Sequence, residues 1–264
     1  PWAGWAITYM PYNFNNPTMG PVFKQLYARQ AIQMSVDQKT LSEVIFNGTA
    51  VPTYGPVPQG QTSSFISAEQ KKNPYPFSTA KAKKLLTDHG WTERGGTMVC
   101  TDPGSGDDQC GAGVDKGTKF QMQVLSQSGS TVTDNMMSAL QSSFAKSGIG
   151  FGIKTAPVNS VLSQAGECSA DQPGCTWQLS FFGSAGSSNF GSYSNPDVDK
   201  VIGETTTDSS DAAMQKYSAA LTKDLPVIWL PEPDYQVSVV KTGLGGFAQD
   251  SLANFHPAMW KWTK

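Results

Sequence analysis

Residues 120–153 constrain this chain more than any other stretch. Phe120, Met122, Val124 and Leu125 read as a strand, Met136, Met137, Leu140 and Phe144 recur at helical spacing over 132–146, and Ile149, Phe151 and Ile153 alternate strictly as a second strand. Strand, helix, strand in this order is a βαβ unit, which commits the chain to a sheet with helices packed on it. The flanking segments extend that pattern. Trp5, Ile7 and Tyr9 alternate as a strand that empties into the aromatic and amide-rich loop 11–17. Phe23, Leu26, Tyr27, Ala31 and Met34 predict one amphipathic helix from residue 22, and Asp37 caps another carrying Leu41, Val44 and Ile45, ended by Asn47-Gly48. Residues 51–60, with three prolines and two glycines, are a connection. Ser78 caps a helix with Ala82, Leu85 and Leu86 inside and Lys81, Lys83 and Lys84 on a solvated face, closed by His89-Gly90. Beyond the βαβ unit come a helix over 158–165, a strand through Trp177, Leu179, Phe181 and Phe182, helices over 196–204 and 211–224, and late strands at 227–230 and 235–239. The expected fold class is α/β (α+β), a mixed β-sheet with flanking helices.

Charge narrows the partners. Lys and Arg number 19 against 21 Asp and Glu, a net charge of −2 without a basic block, so nucleic acid and anionic membrane are not expected as partners. Charged residues make up 15%, against about 25% in an average domain. Hydroxyls and amides therefore dominate the exterior. No apolar run approaches the ~20 residues of a spanning helix, and the first residues carry neither a basic nor an apolar signal region. A signal or anchor is expected outside these residues.

The cysteines form two local pairs, Cys100 with Cys110 and Cys168 with Cys175, in the Gly-, Asp-, Pro- and Ser-rich loops 98–117 and 166–176. Two local disulfides are the simplest reading. A four-cysteine zinc site competes, although the paired C-x2-C ends of such sites are missing. Asp102, Asp107 and Asp108 lack the spacing of a calcium loop. Disulfides would place the chain in an oxidising, extracytoplasmic compartment.

The means of catalysis are sparse. His89 sits at a helix end and His256 near the C-terminus, both reading as caps or surface groups. Gly183-Ser184-Ala185-Gly186 is out of frame for a nucleophile elbow, and Gly111-Ala112-Gly113 lies in a cysteine-clipped loop instead of between a strand and a helix. Asn47-Gly48-Thr49 satisfies a glycosylation triplet. No enzyme activity and no cofactor are expected. What remains is three loops bearing aromatics, amides and hydroxyls: 12–16, 183–189 and 191–193. They suit an uncharged or zwitterionic solute, held by stacking and hydrogen bonds. The plainer alternative makes the aromatics loop-pinning core and the glycines turn formers.

Several runs in one order resemble a known family. Ala28-Arg29-Gln30-Ala31-Ile32 through Asp37, Asn47-Gly48-Thr49-Ala50-Val51-Pro52, Gly55-Pro56-Val57-Pro58, Asn73-Pro74-Tyr75-Pro76 with Leu85, Leu86 and Gly90-Trp91, Gly148-Ile149, and Tyr193-Ser194-Asn195-Pro196-Asp197-Val198-Asp199 are similar to the family 5 extracellular solute-binding proteins of peptide-type ABC transporters. The resemblance covers nearly the whole chain and places it in the C-terminal half of such proteins. It implies one lobe of a two-lobed periplasmic-binding-protein-like fold (type II, cluster C). Residues 1–225 would be the C-terminal ligand-binding lobe, and 226–264 terminal strands returning toward an N-terminal lobe of the same protein. The implied partners are a peptide or small-molecule ligand and an ABC transporter permease. The implied location is extracellular or cell-surface, with a lipid anchor ahead of the chain. Arg29 and Asp37 would tie the first two helices, with Asn195 and Asp199 capping the helix after Tyr193. Ligand contacts would come from Phe182, Gly183, Ser184, Ser187, Asn189 and Tyr193, with Tyr12 and Asn13 beside them. Where peptide-binding members carry an acid for the peptide's amino group, this chain has none over 183–189. A ligand without a free amine, sugar-like or a blocked peptide, then fits, since a buried ammonium needs a counter-charge. A transport-inactive scaffold on the same fold and a secreted serine hydrolase are the rival readings.

Overall fold

A computed structural model describes residues 5–166, 176–181, 189, 191–233, 242–246 and 256–263. The first strand, β1 (Thr8–Pro11), leads into α1 (Gly20–Lys24) and α2 (Leu26–Met34). The single helix expected from residue 22 is thus two, because Gln25 between them is extended (φ −78°, ψ 120°). α3 (Gln38–Thr40) starts on the Asp37 carboxylate, which accepts from the Thr40 amide at 3.1 Å, and continues as a π-turn over Leu41–Ile45. Then follow β2 (Ala50–Val51), α4 (Ala68–Lys72) and α5 (Thr79–Asp88), the two helices capped by the hydroxyls of Ser67 and Ser78. A hairpin comes next, β3 (Trp91–Arg94) and β4 (Thr97–Cys100). Gly95 and Gly96 turn it with φ of 59° and 82°, both left-handed as a tight two-residue hairpin turn requires.

The remaining elements are β5 (Gln121–Gln127), α6 (Thr131–Lys146), β6 (Gly150–Ala156), α7 (Val158–Gly166), β7 (Leu179–Phe181), α8 (Pro196–Glu204), α9 (Asp211–Asp224), β8 (Val227–Leu230), β9 (Glu232–Pro233), β10 (Leu244–Gly245) and β11 (Lys261–Trp262). β5 and β6 pair in parallel from Gln121 with Gly150 to Gln127 with Ala156, which is the βαβ unit expected from the sequence. β7 lies parallel on the other edge of β5, a bridge from Leu179 to Tyr12 brings in β1 antiparallel, and β1 pairs antiparallel with β8. The order β6-β5-β7-β1-β8 is a mixed sheet with flanking helices, the fold class expected. The strand expected at 235–239 and the pair Cys168 and Cys175 lie outside the described residues.

One core joins the sheet to α2, α5 and α6. Phe120, Met122, Val124, Phe144, Ile149 and Leu179 are fully buried in it together with Ala31, Ile32, Ala82 and Leu86. Each large apolar side chain there contributes roughly 1.5–3 kcal/mol. A second cluster, Val198, Leu221, Leu225 and Trp229, packs α8 and α9 against β8. Buried glutamines do the work of missing strand edges: the Gln33 amide accepts from Trp229 N at 2.9 Å and donates to its carbonyl at 3.2 Å, and Gln38 does the same for Thr53 at 2.8 and 2.6 Å.

Cys100 and Cys110 are disulfide-bonded, so the zinc alternative fails for this pair. Closing so short a loop restricts the unfolded chain by about 3 kcal/mol on the chain-entropy argument. The clipped loop is tied to α2 by Tyr27, whose hydroxyl donates to the Cys110 carbonyl at 2.6 Å and accepts from the Trp91 indole at 2.8 Å. Burial pushes the Tyr27 phenol up to about 12. His89 stacks on that ring at 3.8 Å and its Nδ1 donates to the Leu85 carbonyl at 2.8 Å, a helix-end role.

Glu232 is buried and accepts backbone amides of Gln59 at 3.2 Å and Gly60 at 3.1 Å, with no ion pair among the described residues. Burial pushes its carboxyl above the usual range, the amide bonds offsetting this only in part. The folded chain therefore holds this proton to higher pH than the unfolded one. The stabilisation is complete below the carboxyl's unfolded-state pKa and is lost as pH rises through the folded-state value. Thermal melts between pH 4 and pH 8 should show Glu232→Gln gaining on the wild type as pH rises; parallel curves would refute this.

Candidate functional site

Of the strand-end loops singled out by the sequence, 12–16 and 191–193 meet, and residues 183–188 lie outside the described residues. β7 is the reference. Its carboxyl end, Phe181, pairs beside Ser126 and leads to residue 182. Turn 12–16 sits at its opposite, amino-terminal end: Asn13 N donates to Gln178 O at 2.9 Å, Asn13 Nδ2 to Trp177 O at 2.8 Å, and Asn16 Nδ2 to Thr176 O at 3.2 Å. Tyr12 and Asn13 were expected among the ligand contacts, but both are fully buried. Tyr12 packs its ring on Phe23 at 4.9 Å, and its hydroxyl, without a hydrogen-bond partner among the described residues, is pushed up by burial. Loop-pinning, the plainer alternative, describes this turn.

Phe182, Gly183, Ser184 and Ser187 lie outside the described residues. Asn189 and Tyr193 lie at the point where the chain re-enters the fold. Asn189 Nδ2 donates to the Tyr193 carbonyl at 2.8 Å while Tyr193 N donates to Asn189 Oδ1 at 3.0 Å, a reciprocal clasp. Gly191 O accepts from Phe14 N at 2.9 Å, and a Cβ on Gly191 would stand 1.9 Å from the Tyr12 carbonyl oxygen, so only glycine permits this approach. Phe181 thus lies at one end of β7, and Gly191, beside Phe14, at the other. Ser180, two residues before 182, is fully buried with its hydroxyl unpartnered among the described residues.

Sequence reasoning missed the centre that holds this return point. Asp224, the last residue of α9, accepts from Tyr193 OH, from Asn195 Nδ2 at 3.1 Å, and from Arg29 Nη2 at 3.3 Å. Arg29 also donates to the carbonyls of Asp224 at 3.0 Å, Phe23 at 2.7 Å and Lys24 at 3.1 Å, and lies over the Phe14 ring at 5.7 Å. Burial and the Asp224 carboxylate together push the Tyr193 phenol up. Arg29 was expected to tie the first two helices to each other with Asp37. It ties α1, α2 and α9 instead, and Asp37 serves only its own cap, because an arginine with 5% of its side chain exposed needs a carboxylate within reach and Asp224 is the one present. Asn195 caps α8 as expected, accepting from Asp197 N at 3.1 Å.

The fold is a mixed α/β one, with no cluster of metal-binding side chains among its described residues. Residues 3–218 match the model of the bacterial extracellular solute-binding proteins, family 5 Middle, and the chain belongs to that family. The glutathione-binding protein GsiB of Pectobacterium atrosepticum is 30% identical over 254 residues, 92% of this chain and 46% of that protein. Among solved structures, the oligopeptide-binding protein AppA of Bacillus subtilis, in complex with a nonapeptide, superposes with a TM-score of 0.68 at 16% identity, over 99% of this chain and 51% of that one. A mannohexaose-bound periplasmic oligopeptide-binding protein of Thermotoga maritima does so at 0.64 and 18%, over 95% and 48%. The chain spans about half the length of these relatives. They are substrate-binding transport proteins and not enzymes.

Proposed function

We propose that this chain is one lobe of an extracytoplasmic receptor that encloses a small polar solute against a second lobe and delivers it to an ABC permease. Membership of a solute-binding family, in a chain spanning about half of its relatives, carries the reading. Residues 1–225 form the solute-binding lobe, and 226–264 return toward the other. Met259 at 66% and Trp262 at 67% exposure are consistent with a ribbon that the other lobe covers. A lipid anchor ahead of the chain holds the receptor at the cell surface.

Phe182, Gly183, Ser184 and Ser187 supply the contacts, together with Asn189 and Tyr193. Without an acid over 183–189, the ligand is a polar solute without a free amine, a blocked peptide or an oligosaccharide. Of the relatives' ligands, mannohexaose is of this kind, whereas glutathione keeps a free α-amine. Closure adds contacts from both sides, so a lone lobe binds weakly. The test is calorimetry of this chain and of a protein completed with the preceding lobe, titrated with glutathione, an N-acetylated tripeptide amide and mannohexaose. At least tenfold tighter binding by the completed protein is expected; equal affinities, or no binding by the completed protein, would sink the two-lobe reading.

A further inference from the structure

We propose that Asp224 is a positioning residue beside the proposed solute contacts: it fixes, from the end of α9, the segment 191–195. This deepens the proposed function and rests on it for its consequence. Two chain segments far apart in sequence converge on one carboxylate. Tyr193 OH and Asn195 Nδ2 bring the returning chain, and Arg29 brings α2 together with the Phe14 ring that packs 5.6 Å from Tyr193. Phe14 in turn donates its amide to Gly191 O, and Tyr193 its amide to Asn189 Oδ1, so the return point is held on both sides by groups whose placement depends on Asp224. With Asp224 part-buried beside a buried guanidinium, removal of the carboxylate leaves Arg29, Tyr193 and Asn195 to find other partners. The position of the return then becomes a choice among several. Helix α9 itself has no need of this side chain: its carboxyl end is closed by Leu225, in the left-handed region with φ 52°, whose amide donates to Leu221 O.

Amide hydrogen exchange by NMR on the whole chain, without solute, tests this. In Asp224→Ala the protection of the Phe14 and Tyr193 amides should fall at least tenfold more than that of Val124 and Leu125 in β5, and Asp224→Asn, which keeps an acceptor for Tyr193, should restore most of it. If Asp224→Ala does not fold, Tyr193→Phe is read in the same way, since it removes one hydroxyl from the same centre. Exchange at Phe14 and Tyr193 that stays as in the wild type, or falls only as far as in β5, overturns the proposal. No ligand enters this measurement, so its outcome and that of the calorimetry are independent.

Discussion

Replacing Arg29 by methionine is expected to lower the free energy of unfolding by about 3–5 kcal/mol, the range for breaking a buried ion pair on one side. Methionine keeps much of the apolar stem, so the loss isolates the guanidinium. That group stands 5% exposed beside a carboxylate 15% exposed, and its remaining donors serve the Phe23, Lys24 and Asp224 carbonyls. Without it the Asp224 charge keeps only Tyr193 and Asn195 as partners, and the end of α1 loses two bonds at once. Urea unfolding followed by far-UV circular dichroism measures the change. A loss under about 1 kcal/mol would mean that the pair resembles a surface salt bridge in strength. Lys84 with Asp88, exposed and four residues apart on α5, is the internal control: Lys84→Ala should cost only a few tenths of a kcal/mol.

Phe144→Ala is expected to cost about 3–5 kcal/mol, the range for emptying a buried aromatic site. Phe144 is fully buried on the inner face of α6, its ring 5.1 Å from Phe151 on β6, so its loss opens a cavity between helix and sheet in the middle of the βαβ unit. Val132, on the same helix but 44% exposed, should tolerate alanine with about 0.5 kcal/mol or less. Denaturation curves for the two variants check the contrast directly. Equal losses would show that α6 is held by its own helical propensity and not by packing.

Helices with a hydroxyl or carboxylate cap and an apolar stripe were legible from residues alone. The ranges of α8 and α9 agree with the expected 196–204 and 211–224, because Asn195 and Ser210 supply local start signals. The β3–β4 hairpin was missed although its signal, Gly95-Gly96 between Trp91 and Cys100, was present; the expected loop 98–117 took in most of β4, and no element was assigned to 91–97. The break at Gln25 had no signal. Tyr12 and Asn13 mark where residue type stops being informative: aromatic and amide side chains serve a ligand or a buried turn equally well, and the bonds of this turn to Thr176, Trp177 and Gln178 are tertiary.

Periodicity, capping residues and punctuation by glycine and proline are local properties, and from them the chain by itself determined its elements, its βαβ unit and its neutral polar character. Strand order across β7, β1 and β8, and the meeting of Arg29, Tyr193 and Asn195 at Asp224, were decided only by the tertiary structure. Arg29 and Asp224 stand 195 residues apart. No spacing rule reaches that far; burial does, because a guanidinium drawn into the interior must meet a carboxylate there, and packing settles which one.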